Sequence, residues 1–146
     1  MFRVFLFLAA LLSIATPALA DQPNPKDIVS AYTDRVMNGR DLAALDELVA
    51  EDVESVGELP GRDALRQRLA DGYEARDSLF SEWSIETRQL IAEDNAVAAY
   101  YELVAKTPDG KEVSVPLAAF YEVSDGKITR IAGVTDTSSL AEQLGG

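Results

Sequence analysis

The feature that most constrains this chain is a change of period at Ser78. Upstream, apolar residues recur at the three- and four-residue spacing of an amphipathic helix; downstream they alternate with polar ones, as a half-buried strand requires. Turn signals then recur at Glu93-Asp94-Asn95, Pro108-Asp109-Gly110 and Ser124-Asp125-Gly126. The pattern predicts long strands over Leu79–Ile91, Ala96–Lys106, Lys111–Val123 and Lys127–Thr135, joined by hairpins into an antiparallel meander.

The helical half has its own punctuation. Asn24 is a good N-cap, and Pro25 at the first helical position wastes no hydrogen-bond donor. Ile28, Val29, Tyr32 and Val36 continue the stripe to Asn38-Gly39, where the helix should stop. Asp41 can cap a short second helix carrying Leu42, Leu45, Leu48 and Val49, making a helical hairpin with the first. Val53 to Val56 predicts a short strand, and Gly57 to Gly61 a loop in which Pro60 prevents helix. A third helix is expected from Gly61 or Arg62 to about Gly72, with the thin apolar face Leu65, Leu69 and Tyr73 buried and the arginine face wet. Ser139 with Glu142 predicts a capping box for a last short helix. Helices first and strands afterwards define the α+β class, because segregated helices must cover one face of an antiparallel sheet. A long, strongly curved sheet covered by N-terminal helices is a cone with a hollow inside, a natural place for a pocket.

Residues 1–20 predict a cleavable signal peptide. Arg3 supplies the positive start, and Val4 to Ala15 is an apolar core too short to span a bilayer. Pro17 breaks the segment, and Ala18-Leu19-Ala20 completes a small-residue cleavage site. Residues 21–146 are then expected to be a single exported domain, periplasmic or secreted, with no membrane attachment after cleavage near Ala20. Without cysteine, a lipid anchor at the cleavage point and disulfides are excluded.

With Asp and Glu at 25 against 13 Lys and Arg, the surface repels phosphate backbones, which argues against nucleic acid as a partner. Neither histidine nor cysteine occurs. Ser-His-Asp triads, Cys-His dyads and the usual zinc hydrolase sites are therefore out of reach, leaving carboxylates, tyrosines, lysines and hydroxyls for acid and base work. No metal site and no cofactor are implied, since no glycine loop that would cradle phosphates is present. The Asp-Gly-Lys runs at 109–111 and 125–127 are hairpin turns and lack the alternating oxygen ligands of a calcium loop.

The mature chain resembles the nuclear-transport-factor-2-like superfamily and, within it, the SnoaL-like polyketide cyclase group. The resemblance is carried by Asn38-Gly39-Arg40-Asp41-Leu42, by Leu48-Val49-Ala50-Glu51-Asp52-Val53, and by Gly61-Arg62-Asp63-Ala64-Leu65. Asp125-Gly126-Lys127-Ile128, Thr135-Asp136 and Leu140-Ala141-Glu142-Gln143-Leu144-Gly145 look like the closing strand and carboxy-terminal segment. The resemblance implies a homodimer. It also places Asp136 where cyclases of the group carry an acid/base aspartate, a group that could take a proton from carbon between carbonyls if held among apolar walls. Asp136 equally begins the polar run into the last helix, where an aspartate caps free amides. The partner histidine of some cyclases falls at Pro116. Against the ketosteroid isomerases, the base falls at Gly57 and the acidic oxyanion donor at Ala118 or Ala119.

The remaining candidates around the inferred hollow are aromatic. Tyr32, Trp83, Tyr101 and Tyr121 are candidate ligand-binding residues, and each could instead fill core. Ala118 and Ala119 would leave space between them. Arg62, Arg66 and Arg68 could hold a carboxylate ligand if they met in space; the alternative is a solvated helix face. Two functions follow. One is an exported module that binds a small, mainly apolar molecule or acts as a dimeric scaffold. The other is a cyclase- or isomerase-like proton-transfer enzyme resting on Asp136.

Overall fold

The structure, a computed structural model, describes residues 23–145; the signal segment lies outside them. Helix α1 (Pro25–Ala31) starts as expected, with the Asn24 side chain accepting from the Lys26 amide at 3.0 Å. It runs on as a π-helical segment, Tyr32–Asn38. At the stop, Asn38-Gly39, both residues are tightly constrained. Asn38 clamps the backbone of Ile85, donating to its carbonyl at 2.9 Å and accepting from its amide at 2.8 Å. At Gly39 a Cβ would lie 2.6 Å from the Arg35 carbonyl oxygen, so no larger residue fits without a shift. A 3-10 turn, Leu42–Ala44, capped by Asp41, leads into α2 (Leu45–Leu48).

Strand β1 (Val49–Ser55) begins earlier than the expected Val53. Helix α3 (Arg62–Leu79) does not end near Gly72 but continues to Leu79. A glycine inside a helix costs about 1 kcal/mol, and here packing outweighs it: Tyr73 is buried and its hydroxyl donates to the Val36 carbonyl at 2.6 Å. The meander then follows as β2 (Glu82–Glu93), β3 (Ala96–Lys106), β4 (Glu112–Ser124) and β5 (Lys127–Thr135). At the β4–β5 turn, Asp125 and Gly126 both have positive φ, the conformation a tight hairpin demands.

The sheet is curved and unclosed, in the order β1-β5-β4-β3-β2. The β2 to β5 pairs are antiparallel, whereas β1 joins the far edge parallel to β5. Parallel pairing needs a long crossover, which α3 and the intervening strands provide. The core lies between the inner sheet face and the helices. Val97, Val115 and Ile128 from the sheet meet Val29, Val36, Leu45 and Leu65 from the helices, all essentially inaccessible.

The last helix, α4 (Thr137–Leu144), departs from the expected capping box. Its cap is Asp136, whose carboxylate accepts from the Ser139 amide at 2.9 Å. A carboxylate at the positive end of a helix is a stronger acceptor than a neutral hydroxyl. Ser139 instead accepts from Gln143 at 3.0 Å, and Gln143 bonds both backbone groups of Ser114, docking α4 against β4.

Candidate functional site

Between the inner sheet face and the helices lies a cavity of about 260 Å³. Strand alternation places its floor: Tyr101 pairs across strands with Leu117, Ala99 with Ala119, and Ala119 in turn with Gly133. Ala119 and Gly133 leave the room that larger side chains would take. The roof comes from Tyr32 and Met37 on the first helical segment and from Arg68, Leu69, Gly72 and Arg76 on α3. Among the described residues, no Asp or Glu lines this cavity.

Three phenols face it. Tyr101 Oη lies 3.1 Å from Thr33 Oγ1 and 3.2 Å from Tyr121 Oη, and Thr33 donates its own proton to the Val29 carbonyl at 3.0 Å. Tyr32 meets the Tyr121 ring edge-on, with centroids 6.0 Å apart. Its own hydroxyl, on a side chain only 3% exposed, has no hydrogen-bond partner among the described residues. Burial pushes the Tyr32 hydroxyl well above the usual phenol range, against the opposing pull of Arg68. Tyr121 is raised by burial as well, and Tyr101 likewise, its rise opposed by its hydrogen bonds with Thr33 and Tyr121. All three are neutral donors at physiological pH.

Tyr32, Tyr101 and Tyr121 are thus brought together. Trp83 lies elsewhere, stacked on Tyr73 with centroids 6.2 Å apart and donating to Asp77 at 2.9 Å. Its ring carries the guanidinium of Arg76 at 5.1 Å, so it touches the cavity only through a residue that lines it. Asp136 is exposed at the start of α4, one residue beyond the cavity-lining Thr135. Pro116 is exposed, Gly57 sits in the loop after β1, and Ala118 and Ala119 both line the cavity. Two other hollows, of about 420 and 680 Å³, lie on the outer sheet face; the first is mainly apolar, around Ile91, Ala98 and Phe120 with the Arg130–Glu122 pair, and the second carries the Arg88–Glu102 pair. The three buried tyrosines make the inner cavity the candidate site.

Arg76 is the residue that sequence reasoning missed. Arg68, Gly72 and Arg76 recur at every fourth position and so share one helix face, a signal hidden when the helix is ended at Gly72. Arg62 and Arg66 do not join Arg68; both pair with Asp46, at 3.1 and 2.9 Å. No group of residues that could hold a metal ion occurs among the described residues, and no helix there is long and apolar enough to cross a membrane.

A five-stranded curved sheet covered by helices over an inner cavity defines an α+β domain of the nuclear-transport-factor-2-like kind. The chain belongs to the SnoaL-like domain family, whose model matches residues 29–131. Among solved structures it is similar to a SnoaL-like polyketide cyclase from Agrobacterium tumefaciens, at 23% identity and a TM-score of 0.70, covering 84% of this chain and 98% of that one. It is also similar to IdmH, a putative polyketide cyclase from Streptomyces antibioticus, at 19% identity and a TM-score of 0.71 over 84% and 99% of the two chains. A third is AclR, a putative hydroxylase from Streptomyces galilaeus, at 20% identity and a TM-score of 0.67 over 83% and 95%. At such identities the likeness is one of fold. No curated protein sequence matches the chain.

Proposed function

We propose that this SnoaL-like domain is an exported binder of a small, mainly apolar molecule held in the tyrosine-lined cavity. The observation that carries this is a built cavity whose lining includes Tyr32, Tyr101 and Tyr121 but, among the described residues, no carboxylate. Pockets for small molecules combine apolar walls with a few placed polar groups, and about 260 Å³ suits a compact ligand. Proton transfer by Asp136 would require its carboxylate to leave the Ser139 amide and turn past Thr135. Binding needs no such rearrangement.

Native mass spectrometry of protein purified from its export compartment tests the proposal. The expected result is a polypeptide starting at Asp21 with an additional non-covalent mass, which Ala119→Phe, filling the cavity, removes. A bare polypeptide that also fails to bind an apolar fluorescent probe would sink it.

Homodimerisation is part of the same proposal. The outer sheet face exposes Ile91, Tyr100, Phe120 and Val134, with Ile91, Ala98, Phe120 and Ala132 forming one row across four strands. A contiguous apolar patch of this kind marks an association surface. A sedimenting dimer that Phe120→Glu converts to monomer is the expected outcome; a wild-type monomer at high concentration refutes it.

A further inference from the structure

The cavity carries a charge signature of its own. In a chain of net charge −12, arginines find acidic partners easily. Arg35, Arg40, Arg62, Arg66, Arg88 and Arg130 all form ion pairs. Arg68 and Arg76 are the arginines that form none among the described residues, and both line the cavity, Arg68 from an exposed position. Arg76 is half-buried, and burial pulls its affinity for the proton down without a carboxylate to restore it. Its guanidinium is held in place by the Trp83 ring at 5.1 Å. Leaving a partly desolvated cation unpaired is costly, so its position is explained by a partner that arrives with the ligand.

The second observation is independent of charge. Tyr32 is almost wholly buried, lines the same cavity, and has a hydroxyl that bonds to nothing among the described residues. The hydroxyl is not sealed within protein but belongs to a residue lining the cavity, and it is a neutral phenol able to donate. One free phenolic donor and two free guanidinia meet no carboxylate on the cavity wall. The wall therefore offers donors and lacks anionic acceptors. Leu69, Leu117 and Ile131 supply the apolar remainder.

We infer that the ligand is a small, mainly apolar molecule bearing an ionised oxygen (a carboxylate, phenolate or enolate) bound by Arg68 and Arg76 with Tyr32 donating to it. The inference rests on the small-molecule proposal above and narrows its chemistry. Trp83 then acts as a positioning residue, through Arg76.

The test compares two probes of nearly the same shape, 2-naphthoate and neutral 2-naphthamide, by calorimetric titration of the purified protein. Charge-assisted bonds are roughly twice as strong as neutral ones, so naphthoate should bind at least about tenfold tighter. Arg68→Gln with Arg76→Gln should erase that preference while naphthamide binding persists, and Tyr32→Phe should weaken naphthoate binding several-fold. Unchanged thermal melting of each variant shows that the fold is retained; if Arg76→Gln fails to fold, Arg68→Gln alone should still lower the preference. Equal affinity for the two probes, or a preference indifferent to the arginines, overturns the oxyanion inference and leaves the binding proposal standing. No binding of either probe removes both.

Discussion

The phenolic oxygens of Tyr101 and Tyr121 lie 3.2 Å apart, a hydrogen bond that ties β3 to β4 beneath the cavity. Tyr101 also meets Thr33 at 3.1 Å, so a single hydroxyl links sheet to helix. Neither contact is local in sequence. The first needs β3 paired with β4, and the second needs the helices folded onto the sheet.

Tyr101→Phe removes the middle member of this set. Thr33 keeps its bond to the Val29 carbonyl, but Tyr121 loses its protein partner. A buried polar group left unsatisfied costs about 1–3 kcal/mol. Urea denaturation should therefore show an unfolding free energy lowered by that amount, seen as a lower midpoint with an unchanged slope; an unchanged midpoint would mean that the three hydroxyls contribute nothing to stability.

Asp77 should act as an acid-sensitive latch beside Trp83. It accepts from Arg40 through two bonds, 2.7 and 2.6 Å long, and from the Trp83 indole at 2.9 Å. The hydrogen bonds from Arg40, and then from Trp83, hold its carboxyl below the usual carboxylate range. The folded state thus takes up this proton at lower pH than the unfolded chain. The stabilisation is present above the ordinary aspartate value and lost as pH falls through the lower, folded one. Since Trp83 is the sole tryptophan, its fluorescence should report a transition below that ordinary value, and Asp77→Asn should abolish it. A transition that survives the substitution would assign it to another group.

Asp136→Ala separates a capping role from a chemical one. Loss of an N-cap costs about 0.5–2 kcal/mol, and α4 should exchange its amide hydrogens faster while naphthoate binding in the cavity stays the same. If binding collapses while α4 remains protected, Asp136 belongs to the site rather than to the helix.

Much of this architecture is legible along the chain because the signals are local. Asn24-Pro25 opens a helix, Asp125-Gly126 turns a hairpin, and alternation through β3 and β5 yields their bounds without correction. The end of α3 was not legible, because Gly72 weakens a helix that Tyr73 then rescues through a contact 37 residues away. The same contact carries Arg76 into the cavity roof. Tyr32, Tyr101 and Tyr121 were legible as candidates but not as a set, and Trp83 carries no local mark that it would lie under an arginine.

The sequence by itself determined the class of fold, the order of its elements and the chemistries excluded by a chain with neither histidine nor cysteine, since these depend on period, turn residues and composition. Only the tertiary structure decided which side chains share the cavity and which arginines go without partners. Those outcomes turn on pairings between residues far apart in the chain, where a few ångströms separate an ion pair from an unpaired cation facing a cavity.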